Sequence, residues 1–254
     1  MKTEILYEDN SILVIRKPAG LAVQSAGIGQ PDVVSELKSY LAKLPSAGRP
    51  GKGEPYLGIV HRLDQPVEGL LVFAKDKKAA ATLSKHLTEG ALNKHYYAVL
   101  CGYPDCPEGD LVDYLRKEGN VAVAVTGREQ EFADAKIAVL HYRILEEIND
   151  PSPLALADVT IGTGRFHQIR VQFAHAGFPL LGDTKYGMAA RKEAMPAQKY
   201  RGVALCAYSL ELVHPISGKK MGFRVVPKNP VFAGFAMKEL KKLTENETGI
   251  SKRG

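Results

Sequence analysis

Short apolar runs, broken by Gly, Pro and charge, recur along this chain more often than helical spacing does. Residues 5–15 read as a strand pair around Glu8-Asp9-Asn10-Ser11, ended by Lys17-Pro18-Ala19-Gly20. Val33, Leu37, Tyr40 and Leu41 share one face of a helix predicted over 32–44, with Asp32 as its N-cap. Residues 45–55, rich in Gly, Pro and basic side chains, are predicted to be loop. Two apolar strands, Leu57-Gly58-Ile59-Val60 and residues 70–74, flank a polar turn that Pro66 and Gly69 force. A helix is predicted over 77–90, its inner face Ala80, Leu83, Ser84 and Leu87. Further strands are predicted at 95–100, 111–115, 121–125, 135–147 and 154–161. After a Gly162-Thr163-Gly164 turn, Ile169, Phe173, Ala174 and Ala176 recur at helical spacing. Residues 179–187 read as loop, 203–213 as an alternating strand and 222–226 as another; an amphipathic helix is predicted over 232–243. Many strands and few helices predict an α+β fold on a large mixed, mostly antiparallel sheet with flanking helices. No repeat or linker divides it, so one domain is expected over 1–243, with 244–254 as a disordered tail.

Composition narrows the class. The 254 residues are 45% apolar and 24% charged, ordinary globular usage. A formal charge of +6 and a pI near 9.1 suit an anionic partner such as nucleic acid. Cys101, Cys106 and Cys206 are odd in number and form no C-x-x-C pair, which argues against a disulfide framework and a structural zinc site. His61, His167 and His175 lack metal-ligand spacing, so no metal site is expected. No apolar run approaches the length of a membrane span and no signal core opens the chain, so a cytoplasmic protein is expected.

Two dense polar stretches carry the candidate chemistry. The first is His61-Arg62-Leu63-Asp64-Gln65-Pro66-Val67-Glu68-Gly69; the second is Arg165-Phe166-His167-Gln168-Ile169-Arg170. Taken alone, the first would be a surface hairpin with a solvated ion pair. In order with other blocks it resembles the signature of the RluA-type pseudouridine synthases. Arg16-Lys17-Pro18-Ala19-Gly20-Leu21 is similar to that family's Lys-Pro-x-Gly element, and Lys94-His95-Tyr96-Tyr97-Ala98-Val99 to its Lys-x-Tyr-x-Ala strand. Gly164-Arg165-Phe166-His167-Gln168-Ile169-Arg170-Val171 is similar to its Gly-Arg-x-His-Gln-Ile-Arg element. Pro179-Leu180-Leu181-Gly182-Asp183 with Tyr186-Gly187, then His214-Pro215, follow in the family's order. Some relatives carry an N-terminal S4 RNA-binding domain; here the catalytic strands begin almost at Met1, and none is expected.

The resemblance implies the pseudouridine synthase catalytic fold and isomerisation of uridine to pseudouridine inside a ribosomal or transfer RNA. The N1–C1′ bond breaks, the uracil turns, and C5 bonds to C1′. The chemistry needs an ionised carboxylate that attacks covalently or abstracts a sugar proton on the way to a glycal. Asp64 matches the family's catalytic residue and Arg170 its partner, which otherwise would be a structural salt bridge at a helix start. Tyr96 matches the family tyrosine, a flat surface for the detached base; without the motif it is an ordinary half-buried strand tyrosine. Tyr97, on the other face of the strand, is structural. The uridine must leave its stack at a cost of roughly a few kcal/mol, and Arg62 is placed to fill the vacated space. Arg165, His167 and Gln168 are candidate contacts to phosphate or ribose. The reaction has no redox change, so no cofactor is implied, and RNA is the expected partner, with no obligatory protein partner.

Val67-Glu68 stand where the family commonly has Thr-Ser, and Phe166 where it often has Thr. A carboxylate beside RNA repels phosphate unless it points away or pairs with a base such as Lys75 or Arg62. Two other readings stay open. A non-catalytic RNA-binding protein on the same fold would not need Asp64, Tyr96 and Arg170 together. A glycosidic hydrolase would need a second carboxylate, Glu68 or Asp183.

Overall fold

The structure, a computed structural model, describes residues 1–25, 27, 29–44, 54–126, 134–149, 152–187 and 202–236. Among them eleven strands join one sheet: β1 (Glu4–Glu8), β2 (Ile12–Lys17), β3 (Gly58–Ile59), β4 (Glu68–Ala74), β5 (Leu92–Cys101), β6 (Glu108–Glu118), β7 (Val121–Val125), β8 (Lys136–Ile148), β9 (Leu154–Ile161), β10 (Leu205–Val213) and β11 (Lys220–Arg224). The spatial order is β1-β2-β4-β10-β5-β9-β8-β6-β7, with β3 on β4 and β11 on β10. Every pairing is antiparallel except the short parallel one between β4 and β10. The mixed, mostly antiparallel sheet is as the sequence predicts.

Side chains alternate across the pleat, so each central strand feeds two cores. Leu13, Ile15, Leu71, Phe73, Tyr96 and Ala98 face one side, packed on α1 (Val33–Leu41) and α3 (Gln168–His175). Ile12, Val14, Leu70, Val72, Tyr97 and Val99 face the other, packed on α2 (Lys77–Thr88). Tyr97 there stacks on Tyr208 with ring centroids 3.7 Å apart. Asp32 Oδ1 accepts from Ser35 N at 2.7 Å and Asp76 Oδ1 from Ala79 N at 2.8 Å, so both longer helices start at an aspartate cap.

Several predicted details change. α1 ends at Leu41, three residues early. The buried face of α2 is Ala79 and Leu83, a four-residue step; Ala80 and Leu87 only flank it, and Ser84, turned 100° past Leu83, is exposed. α3 is buried from Gln168 through Phe173 rather than on one stripe, and Ala176 is exposed at its C-cap. β10 is buried continuously from Leu205 to Leu210 because both of its faces are covered. β11 lies at Lys220–Arg224, two residues before the predicted span. Phe232 sits in a 3₁₀ turn, Pro230–Gly234, instead of opening an α-helix; Asn229 Oδ1 accepts from Val231 N and Phe235 is extended. The predicted loop over 45–55 falls largely outside the described residues, as do residues 237–254 with the domain boundary and tail.

The departure at Glu68 is absorbed by the fold. The side chain lies on the pleat face of Leu70 and Val72, away from Tyr96. It is buried, and its carboxylate accepts from Lys228 N at 3.0 Å and Asn229 N at 2.8 Å. Its cationic partner is Arg16, at 3.6 Å, and not Lys75 or Arg62; Lys75 pairs with Glu8 at 2.6 Å. Glu68 therefore clips the segment before the 3₁₀ turn onto β4. Glu68→Ala leaves two backbone donors and Arg16 short of an acceptor and is expected to cost about 2–4 kcal/mol. Chemical denaturation of the two proteins measures this; a change below about 0.5 kcal/mol would show that the clip carries no stability.

Candidate active site

Asp64 stands on the loop between β3 and β4, and that loop is fixed at several points. His61 is buried, and its Nε2 accepts from Val72 N at 3.2 Å. Burial, aided by the nearby Lys94 charge, holds this imidazole well below its ordinary pKa, so it stays neutral. Val67 N donates to Asp64 O at 3.1 Å and closes the turn. Gln65 O accepts from Gly20 N at 2.8 Å and from Lys17 Nζ at 3.0 Å. Lys17 is fully buried and also donates to Leu21 O at 2.7 Å and Pro18 O at 3.0 Å. Burial pushes its ammonium down to about 8, while the charges of Asp64 and Glu68 act the other way. At neutral pH a buried cation thus underlies the turn.

Gly69 lets the site close up. Its φ is +130°, and a Cβ there would run into the backbone of Ala207 on β10. Gly69 pairs with Ala207, and Ala207 pairs in turn with Tyr96 on β5, so the three line up across adjacent strands. Tyr96 is buried; burial first and then the Asp64 charge raise its phenol far above the ordinary value. It is a neutral hydroxyl, coupled to Asp64 by that charge.

The second polar stretch supplies the facing wall. Arg170, in the first turn of α3, donates from Nη1 to Asp64 Oδ2 at 3.1 Å. Its other edge makes a bidentate pair with Asp183, Nε to Oδ2 at 2.7 Å and Nη2 to Oδ1 at 2.8 Å. Asp183 is fully buried and also accepts from Lys185 N and Tyr186 N. The guanidinium lies 5.2 Å from the Tyr186 ring centroid. Asp64 keeps 23% of its side chain exposed, whereas Arg170 keeps 4%. A carboxylate clamped by a buried guanidinium is thus left partly open to solvent.

Of the predicted residues, the structure brings Asp64, Tyr96, Arg170 and His167 together. His167 Nε2 is 3.6 Å from Asp64 Oδ2, and burial lowers this imidazole to about 4. Arg62 is exposed on the approach to the turn. Arg165 is turned along β8, its Nε donating to Ile137 O at 2.9 Å. Gln168 is buried with both ends bonded inside the protein: Oε1 accepts from Arg165 N and Thr163 Oγ1, and Nε2 donates to Val139 O. Neither Glu68, on the opposite face, nor Asp183, occupied by Arg170, stands free across from Asp64 as the second carboxylate of a hydrolase. Sequence reasoning missed Lys17 and Tyr186 as parts of the site, and Asp183 as the clamp on Arg170. All three lie inside blocks it had marked, but no local spacing ties Asp183 or Tyr186 to Arg170.

A family model described as RNA pseudouridylate synthase matches residues 11–175. Ribosomal large subunit pseudouridine synthase D of Zymomonas mobilis is 33% identical over 225 residues, covering 87% of this chain and 68% of that protein. The proteins of the same description from Pseudomonas aeruginosa and Escherichia coli are 35% and 37% identical, covering 87% and 90% of this chain and 67% and 68% of theirs. The chain thus spans about two thirds of the length of these curated relatives. Two solved human structures share the fold: RNA Pseudouridylate Synthase Domain Containing 4, with a TM-score of 0.69 at 24% identity and 89% coverage of both chains, and Domain Containing 1, with 0.71 at 18% identity and coverage of 99% and 97%.

Proposed function

Because the chain belongs to the RNA pseudouridylate synthase family, of the RluA type, we propose that it isomerises uridine to pseudouridine in a structured ribosomal or transfer RNA, with Asp64 as the reacting carboxylate. The observation that carries the assignment is the Asp64–Arg170–Asp183 chain. A partly open carboxylate is held at 3.1 Å by a guanidinium that a fully buried second carboxylate locks in place. An arrangement serving only RNA affinity would not spend a buried ion pair on aiming an anion toward a polyanion.

The substrate uridine turns out of its stack into the opening above Asp64, and exposed Arg62 fills the space behind it. Asp64 then attacks C1′ or removes a sugar proton, and the N1–C1′ bond breaks. The freed uracil anion turns against Tyr96 and bonds through C5 to C1′. On the covalent route this breaks the Asp64–C1′ ester; on the glycal route Asp64 returns the sugar proton. In both the C5 proton passes to solvent while N1 takes one up. Tyr96, a neutral phenol, offers a hydrogen bond and a flat ring without competing for the proton that Asp64 handles. Arg165, His167 and Gln168 build the facing wall. Gln168 acts by shaping the Thr163–Arg165 turn, since its amide is engaged within the protein. The reaction exchanges no electrons, so its chemistry asks for no cofactor, and the cytoplasm supplies its RNA.

Pseudouridine mapping of total RNA, from cells with and without this protein, tests the proposal and names the RNA. Loss of one or a few sites, restored by the wild-type gene, is the expected result. An unchanged map, together with RNA binding but no tritium release from transcripts labelled at uridine C5, would replace it with a non-catalytic binding role.

A further inference from the structure

His167 carries a backbone feature that its surroundings must justify. Its φ is +54°, and it is the non-glycine residue with positive φ among the described residues. That conformation is uncommon outside glycine and asks for compensating contacts. Two rings supply them. Phe166 stacks on the imidazole with centroids 3.8 Å apart, Tyr186 meets it edge-on at 5.6 Å, and the Tyr186 hydroxyl is 2.7 Å from Nδ1.

We propose that Tyr186 locks His167 in the neutral tautomer protonated on Nε2, so that the imidazole presents a hydrogen-bond donor to Asp64 during the reaction. The inference rests on the reading of Asp64 as the reacting carboxylate, and it adds a positioning pair to that site. The hydrogen-bond partners point to the same tautomer from both ends. Ala122 N donates to Tyr186 Oη at 2.8 Å, so that oxygen already serves as an acceptor and its own hydrogen is directed at Nδ1. Nδ1 is then an acceptor and Nε2 must carry the ring proton. At the other end Nε2 faces Asp64 Oδ2, which as a carboxylate can only accept. A bare Nε2 lone pair against that anion would be repulsive.

The ring stays neutral because it is buried, with Arg170 and Lys185 acting in the same direction against the opposing charges of Asp64 and Asp183. A neutral imidazole gives Asp64 a donor without adding a third cation beside Arg170 and Lys17. The resting gap of 3.6 Å is longer than a hydrogen bond. Such contacts commonly shorten only once substrate is bound. Arg170 holds Oδ2 at rest, and His167 stands ready beside the same oxygen as Asp64 moves toward the sugar.

The test begins with the wild-type protein and needs no knowledge of the RNA. Nitrogen-15 NMR of the histidine side chains is expected to show His167 with Nε2 protonated and Nδ1 bare, unchanged between pH 5 and pH 8. A proton on Nδ1, or titration of this ring near 6.5, overturns the proposal. Tyr186→Phe removes the donor to Nδ1. It is expected to move the NMR signature and to lower kcat roughly ten- to hundred-fold, the worth of a hydrogen bond to a charged group, with KM on a ribosomal RNA transcript little changed. His167→Gln, which keeps a donor near Nε2, is expected to retain more activity than His167→Ala. Tyr186→Phe with kcat unaltered, while Asp64→Asn is inactive, refutes the proposal alone. An active Asp64→Asn refutes the reading of Asp64 and this inference with it.

Discussion

Asp64→Asn is expected to abolish pseudouridine formation while leaving the protein folded. Asparagine has nearly the same shape and still accepts from Arg170 Nη1, but it can neither attack C1′ nor take a sugar proton. A loss of at least about 10³-fold in kcat is expected, roughly 4 kcal/mol of barrier. The fold should tolerate the change because Asp64 is partly exposed and Arg170 keeps its two-point contact with buried Asp183. A stability change within about 1 kcal/mol follows, the scale of a partly exposed ion pair. Tritium release under single-turnover conditions, with thermal unfolding in parallel, separates the two effects. Asp64→Asn with a rate within tenfold of wild type would mean that another group does the chemistry.

How far this site could be read from the chain depended on whether its parts were local. Asp32 and Asp76 cap helices from within three residues of the donors they satisfy, and both helix starts were readable. The turn at 61–69 announced itself because Pro66 and Gly69 sit between apolar runs. Gly69 could be recognised as a turn residue; that its missing side chain admits β10 could not, because Ala207 lies 138 positions further along. Burial was legible where one face of an element is wet. It failed for β10, covered on both sides, and for α3, buried nearly all round, since amphipathic spacing carries no signal there. Glu68 is the sharpest case. The sequence shows an anion in a turn expected to meet RNA, and only the pleat shows that it faces the opposite core and holds Lys228 and Asn229. The Asp64–Arg170 pair joins residues 106 apart, and resemblance to a family, not local spacing, brought them together before the structure did.

Arg170 does two jobs, and they can be pulled apart. It neutralises Asp183, which is fully buried, and it aims Asp64. Arg170→Met strands the Asp183 carboxylate with only the backbone donors of Lys185 and Tyr186. An uncompensated buried charge of this kind costs about 3–5 kcal/mol. For a chain of this size that lowers Tm by on the order of 10 °C, and activity should fall with it. Arg170→Lys is expected to rescue little, because one ammonium cannot reproduce a planar fork that binds Asp183 at two points and Asp64 at a third. The informative variant is the pair Arg170→Met with Asp183→Asn. Removing the stranded charge should recover a large part of the lost stability, since a neutral amide is far cheaper to bury than an anion. It restores no cation beside Asp64, so activity should stay at the level of Arg170→Met. Recovered stability without recovered rate would assign Arg170 to the reaction as well as to the fold. If the rate returns together with stability, the guanidinium is a structural clamp and Asp64 works without it.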